Sequence, residues 1–347
     1  MTADPELGQG TRLRSVDAAE FGRLLGGFED HDYQMSTPYL EAISRLQHQQ
    51  VECVVIEHRD EVISLAAVRL RRLPPFGGVA LVAGGPVVGA GDPGRASDRY
   101  RIALAALADE YTPRGVRLHV RPPILPTIQG RAESEPRLAP SPLFHEYRTM
   151  VIDLADTYDQ RRAALTTHWR QHLERAERAD LELSETGIAD TWQRLRPLYE
   201  EMHRRKHFEV ALHPSFWDHV FAHEAAEQWF QGFIVRHDDA DVARMIIGGG
   251  GVVATCVLSA STPAALELFA GYLTLWATIG ITARLGHRYL DLGGYDRDRN
   301  PGGWQFKHGL GGLDLCTPHP LVAAPGGLRG GVVATAERAA SLRRRRA

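Results

Sequence analysis

Lysine is nearly missing from this 347-residue chain: Lys206 and Lys307 are the only two, and the other 38 of the 40 basic side chains are arginine. The skew reads as a GC-rich coding sequence, and it makes each lysine more informative than usual. Cysteine is scarce as well. Cys53, Cys256 and Cys316 are far apart and form no C-x-x-C pair, so neither a disulfide framework nor a thiolate metal site is signalled. A reducing, cytoplasmic compartment is the expectation. No run of about 18 apolar residues exists to cross a bilayer, and MTADPELGQG lacks the basic-then-apolar pattern of a signal peptide. An excess of one charge is also absent: 40 Lys+Arg against 43 Asp+Glu leave a net charge of -3, which excludes a polycation built to coat nucleic acid. What remains is ordinary globular composition, 44% hydrophobic and 24% charged, at a length that suggests two domains.

The hydropathy pattern supports that division. Residues 38–50 predict a helix with Ser36 or Thr37 as N-cap. VECVVIEHRDEVISLAAVRLRRL, from Val51, reads as a β-hairpin around His58–Glu61. A strand at 79–82 ends in GGPVVG, a helix is expected over 97–112, and RLHVRPP is a strand stopped by Pro122 and Pro123. After a Pro-rich connector the same grammar restarts: a strand at 149–154, a charged helix over 158–179, helices over 197–207 and 215–226, and then GFIVRH and two β-arms turning across Gly248–Gly251. AALELFAGY reads as a strand, 273–285 as a helix, and RYLDLGG as a strand opening into a glycine-rich loop. Similar element order in both halves, without similar sequence, implies duplication of one α/β unit. The expected divisions are 1–148, 149–321 and a mobile or loosely docked, arginine-ended tail over 322–347.

Several segments together resemble one family. GGPVV (Gly84–Val88), the strand and basic helix from Met150 to Glu185, EMHRRKHF (Glu201–Phe208) and YLDLGGYDRDRNPGGWQFKHGLGG (Tyr289–Gly312) are similar to stretches of the Fem-type (FemABX) aminoacyltransferases. The last is the most specific: a strand ending in Asp-Leu-Gly-Gly, then Phe-Lys-x-Gly-x-Gly-Gly. The resemblance implies two tandem GNAT-like domains of α/β (α+β) class, each a mixed twisted sheet flanked by helices. It also implies transfer of an amino acid from aminoacyl-tRNA to an amine of a peptide-like or small-molecule acceptor, a peptidoglycan precursor or a secondary metabolite. Aminoacyl-tRNA would be a co-substrate, and no bound cofactor or metal is expected. Gly85 stands where the family often has arginine, and the phosphate-binding lysine of many members has only Arg45 near its place.

Amide formation from an ester needs a held electrophile, an uncharged amine close to it, and a positive or hydrogen-bonding group where the oxyanion develops. Lys307, expected in a loop among glycines, suits that last role; the alternative is a solvated loop lysine. Phe306 and Trp304 stack on a base or pack into the core. Asp291 orients the loop or simply ends the strand, and Asp296 and Asp298 are the nearest candidate bases. Arg204 and Arg205 have the fork geometry to hold a phosphate or carboxylate, or cap a helix end. Tyr295 and Gly85 complete the candidate substrate-binding set. No Ser-His-Asp or Cys-His constellation suggests covalent catalysis. Nothing spells the glycine-rich pyrophosphate turn of a CoA-dependent N-acyltransferase, the rival enzyme reading. A non-catalytic binding protein on the same fold is the rival of another class.

Overall fold

The computed structural model describes residues 10–89, 93–124, 135, 137–206 and 212–344. The chain divides into two compact units: residues 148–316 form one, and the segments on either side form the other.

The first unit starts with β1 (Thr11–Val16), α1 (Ala18–Leu25) and α2 (Thr37–Gln47). Ser36 caps α2 by accepting from Tyr39 N–H at 3.4 Å. The expected hairpin is β2 (Gln50–His58) and β3 (Glu61–Leu73), turning through Arg59 and Asp60 at positive φ. β4 (Gly77–Ala83), α3 (Pro93–Tyr111), β5 (Val116–Arg121) and β6 (Ala139–Pro140) follow. Tyr100, Leu104 and Leu107 of α3 are buried against Val54, Ala66 and Val68 of the sheet.

The second unit runs β7 (Arg148–Asp153), α4 (Tyr158–Ala164), α5 (Thr167–Arg178), β8 (Glu182–Thr186), α6 (Ile188–Lys206) and α7 (Pro214–Phe221). It continues with β9 (Phe230–His237), β10 (Ala240–Gly250), β11 (Val253–Ser261), α8 (Pro263–Glu267), α9 (Ala270–Arg284), β12 (Tyr289–Gly294), α10 (Pro301–His308) and β13 (Leu313–Cys316). The chain then returns to the first sheet as β14 (Leu321–Ala323) and ends in α11 (Gly327–Arg344).

Each unit holds a seven-stranded mixed sheet, in the orders β1-β2-β3-β4-β5-β14-β6 and β13-β7-β12-β11-β10-β9-β8. Five consecutive strands, β1 to β5 and β8 to β12, repeat one topology. Three antiparallel steps are followed by one parallel pair, β4 with β5 and β11 with β12. The helices between those parallel strands, α3 and α8–α9, are the crossovers that parallel pairing requires.

Five local expectations are corrected. The single helix over 158–179 is two, because the Thr166 side chain starts a new one by accepting from Trp169 N–H. The helix expected from Pro197 begins nine residues earlier and carries Pro197 inside it. AALELFAGY is helical, since Thr262 caps Ala265 N–H and Pro263 occupies the first turn. Gly248–Gly250 lie within β10 rather than in the turn, and a Cβ on Gly249 would come within 2.8 Å of His287 Nε2. The tail expected to be mobile or loosely docked is an integral part of the first unit: Leu321, Val322 and Ala323 are buried between β5 and β6. Val333 of α11 is also fully buried, and Glu337 lies 3.0 Å from Arg117 Nε and 2.7 Å from His119 Nε2. The apolar LVA and VVATA segments outweigh the terminal arginines.

Candidate active site

The parallel pair of the second sheet is short. β11 and β12 pair from Val253↔Tyr289 to Thr255↔Asp291 and no further. On the other side of β12 the register with β7 jumps from Asp291↔Val151 to Gly294↔Thr149. The sheet therefore opens at Asp-Leu-Gly-Gly, where backbone groups lose their ladder partners and need others.

Asp291 supplies one substitute. Fully buried at the last paired position, it accepts the Gly293 N–H at 2.9 Å and the Thr149 hydroxyl on the same oxygen, Oδ1. This is an Asx-type turn, and it takes Gly293 to φ +77°, where an L side chain is strained. A Cβ there would stand 3.2 Å from Cys256 O and 3.6 Å from Lys307 Nζ.

Lys307 supplies the other. Its ammonium donates to Gly293 O at 2.7 Å and Gly294 O at 2.9 Å. Two of its three N–H groups are thus used, and the third has no partner among the described residues. The residue stands on α10, not in the loop expected for it. Asn300 caps that helix by accepting Gly303 N–H at 3.0 Å, and Pro301 opens its first turn. Placement in the last turn suits a cation.

Burial sets the electrostatics. It lowers the pKa of half-buried Lys307 below the ordinary lysine value, against the opposing influence of Cys256 and Asp291. It pushes the Cys256 thiol up to about 12, which leaves it an unreactive thiol at neutral pH. Burial also raises the Asp291 carboxyl, opposed by the Thr149 hydroxyl, the Gly293 amide and the Lys307 charge.

An aromatic cluster backs the lysine. Phe306 is edge-on to Tyr272 at 5.0 Å and lies 6.0 Å from Trp169, whose Nε1–H donates to Phe306 O at 3.0 Å. Phe306 thus packs against the core of its unit. Trp304 is half-buried, with the Arg297 guanidinium 4.6 Å from its ring centre and His308 at 5.0 Å. The Tyr295 hydroxyl donates to the Asp314 carboxylate, and its N–H donates to Arg148 O at 3.1 Å. Asp296 accepts the N–H groups of Asp298 and Arg299, a turn-forming role, and both aspartates are exposed.

The remaining candidates lie apart from this cluster. Arg204 is exposed on the last turn of α6, and the side chain of Arg205, with residues 207–211, lies outside the described residues. Gly85 belongs to the first unit, where its N–H donates to Arg121 O at 3.3 Å. Thr149, Cys256 and Gly293, which sequence reasoning passed over, are the residues that surround Asp291 and Lys307. Only the Gly-Gly pair carried a visible signal for them.

Residues 150–308 match the family model of the acetyltransferase (GNAT) domain. No curated protein matches the chain in sequence. Among solved structures, FemX superposes with a TM-score of 0.74 at 11% identity, over 90% of this chain and 97% of its own. The C-terminal domain of a putative lysylphosphatidylglycerol synthetase from Agrobacterium fabrum gives 0.52 at 14% identity, covering 92% of this chain and 96% of that one. The L-PGS of Bacillus licheniformis gives 0.52 at 10% identity, covering 96% of each.

Proposed function

From a tandem GNAT-like fold shared with FemX, we propose that this protein is an aminoacyltransferase. In this reading it moves an amino acid from aminoacyl-tRNA to an amine of a peptide-like or small-molecule acceptor in the cytoplasm, forming an amide. The observation that carries the reading is the Lys307 ammonium, held by Gly293 and Gly294 at the opened end of β12 with one N–H left over.

The acceptor amine attacks the ester carbonyl, and its C–N bond forms as the carbonyl oxygen takes negative charge. Lys307 meets that oxygen with its third N–H. A pre-aimed donor in a partly dry site stabilises the oxyanion without reorganising when charge appears. Collapse breaks the ester C–O bond, and the amine proton passes to the departing ribose oxygen or to water. No side-chain nucleophile is required: Cys256 is held as a thiol, and the Asp296 carboxylate is committed to a turn.

The GNAT domain match also favours an acyl-CoA donor. Against it stands the start of α9, the crossover helix, where Phe269 occupies the cap position at φ +54° with no side-chain cap and no glycine-rich turn precedes it. The donors are separable in a mixture of tRNA, synthetase, amino acid, ATP and candidate acceptors. Product should vanish on ribonuclease treatment and decline as salt rises. Turnover that survives ribonuclease and requires acyl-CoA assigns the other donor.

A further inference from the structure

The Asp291 carboxylate is the one fully buried acid at the opened end of β12, and its two oxygens are used unequally. Oδ1 receives the Gly293 N–H and the Thr149 hydroxyl, while Oδ2 is buried with no hydrogen-bond partner. Gly293 thus has its amide held by Asp291 and its carbonyl held by Lys307. A short covalent and hydrogen-bonded chain runs from β7 through β12 to the amine on α10. The groups with charge or titration that face this amine are Asp291 on β12 and Cys256 on β11.

We propose that Asp291 is a positioning residue for aminoacyl transfer: by gathering the Thr149 hydroxyl and the Gly293 amide on one oxygen, it aims the Gly293 and Gly294 carbonyls at Lys307. The proposal rests on the reading of Lys307 as the oxyanion donor. It follows from what each group lacks. Past Asp291 the strand has no ladder partner on the β11 side, so the path of the glycine pair depends on the acceptor that replaces the ladder. If Gly293 moves, both carbonyls that fix the ammonium move with it, and a displacement of about 1 Å at a reacting group costs on the order of 100-fold in rate.

The role lies in the acceptor oxygen, so asparagine should fulfil it and alanine should not. With only two lysines in the chain, a Lys206→Arg background leaves Lys307 as the single side-chain ammonium visible to 15N-lysine NMR. In that background Asp291→Ala is expected to release the amine to solvent, so that its titration midpoint rises toward that of an ordinary lysine. Transfer should fall on the order of 100-fold in kcat, with KM for donor and acceptor nearly unchanged. Asp291→Asn should recover most of kcat and keep the midpoint at or below the wild-type one, since it keeps the acceptor and loses only the charge, and Thr149→Val should move the midpoint upward by less.

A folded Asp291→Ala protein with an unmoved Lys307 midpoint would overturn the proposal. So would a midpoint that moves down in that protein, which marks a purely coulombic role, or an Asn variant as impaired as the Ala variant. If Asp291→Ala does not fold, Thr149→Val decides: an upward midpoint supports the proposal and an unmoved one overturns it. The NMR readouts need no turnover. A chain that fails to use aminoacyl-tRNA, yet releases Lys307 in Asp291→Ala, would refute the assigned reaction and leave the positioning role supported.

Discussion

The two sheets share one topology and differ at the parallel seam. In the first, β4 and β5 pair over six positions, Gly78↔Val116 to Ala83↔Arg121, and the N–H groups of Gly84 and Gly85 extend the seam by donating to Arg121 O. In the second, β11 and β12 pair over three and then part. A closed seam satisfies its own backbone and has little to offer a substrate. An open seam leaves groups to be satisfied by side chains, here Asp291 and Lys307, the residues to which the proposed function assigns the chemistry. Duplication supplied two copies of the frame; in this account only the copy that opens became the reacting centre.

The comparison can be broken first at the support of α10. Trp169 is 1% exposed and ties α5 to Phe306 O, a tie that belongs to the open seam alone. Trp169→Ala should cost about 3–5 kcal/mol of stability, measured by denaturant unfolding, with activity lost before the fold is.

Next in size is Asp241, which anchors the far side of the second sheet. Burial alone would raise its carboxyl, but hydrogen bonds from Arg244 and Arg194 outweigh burial and hold it below the aspartate value of 3.8. Arg244 is 9% exposed and depends on this partner. Asp241→Asn should destabilise by about 1–3 kcal/mol near neutral pH. Because the folded-state value is depressed, the wild-type contribution is fully present above the unfolded value and disappears as pH falls through the folded one. The gap between wild type and variant should therefore close in acid; a gap independent of pH would mean that the pairing is not electrostatic.

A matched pair of glycines sharpens the comparison at smaller cost. Gly84 and Gly293 both lie at positive φ, and a Cβ would meet Asp32 Oδ2 at 2.6 Å in the first case and Cys256 O at 3.2 Å in the second. Each change to alanine should cost about 1–2 kcal/mol. Only Gly293→Ala should also depress turnover at saturating substrate, because only there does the added methyl approach the lysine. The least perturbing probe is pH itself. If the ammonium is the active form, the alkaline limb of kcat should lie below the ordinary lysine range, since burial lowers the Lys307 pKa.

Much of the frame was legible because it follows from periodicity and punctuation. The β2–β3 hairpin, the α2 cap at Ser36 and the strand ending in Asp-Leu-Gly-Gly rest on local signals that tertiary context did not override. Residues 264–272 read as a strand because AALELFAGY has the apolar density of one, and the Thr-Pro start that makes it helical is a two-residue cue. β1 gave no strand signal because its burial pattern does not alternate. At the site, Lys307 stood out by rarity. Thr149 and Cys256 could not, because their relevance comes from pairings 142 residues apart or from a strand ending early. Neither is visible in local sequence. The firmness of the α11 docking was not legible for a related reason: its arginines are contiguous in sequence, whereas the buried face that includes Val333 is not.

The central claim, that reaction occurs at the open seam of the second unit, is tested most directly by single-turnover transfer from aminoacyl-tRNA at saturating acceptor. Two variants, one at each seam, should be compared: Lys307→Met, whose ammonium is held by the end of β12, and Arg121→Met, at the end of β5. The account predicts a loss of about 100-fold or more for Lys307→Met, the scale of one oxyanion donor, and a rate within about twofold of wild type for Arg121→Met. A Lys307→Met protein that transfers at the wild-type rate, or an equal loss in both variants, would contradict it.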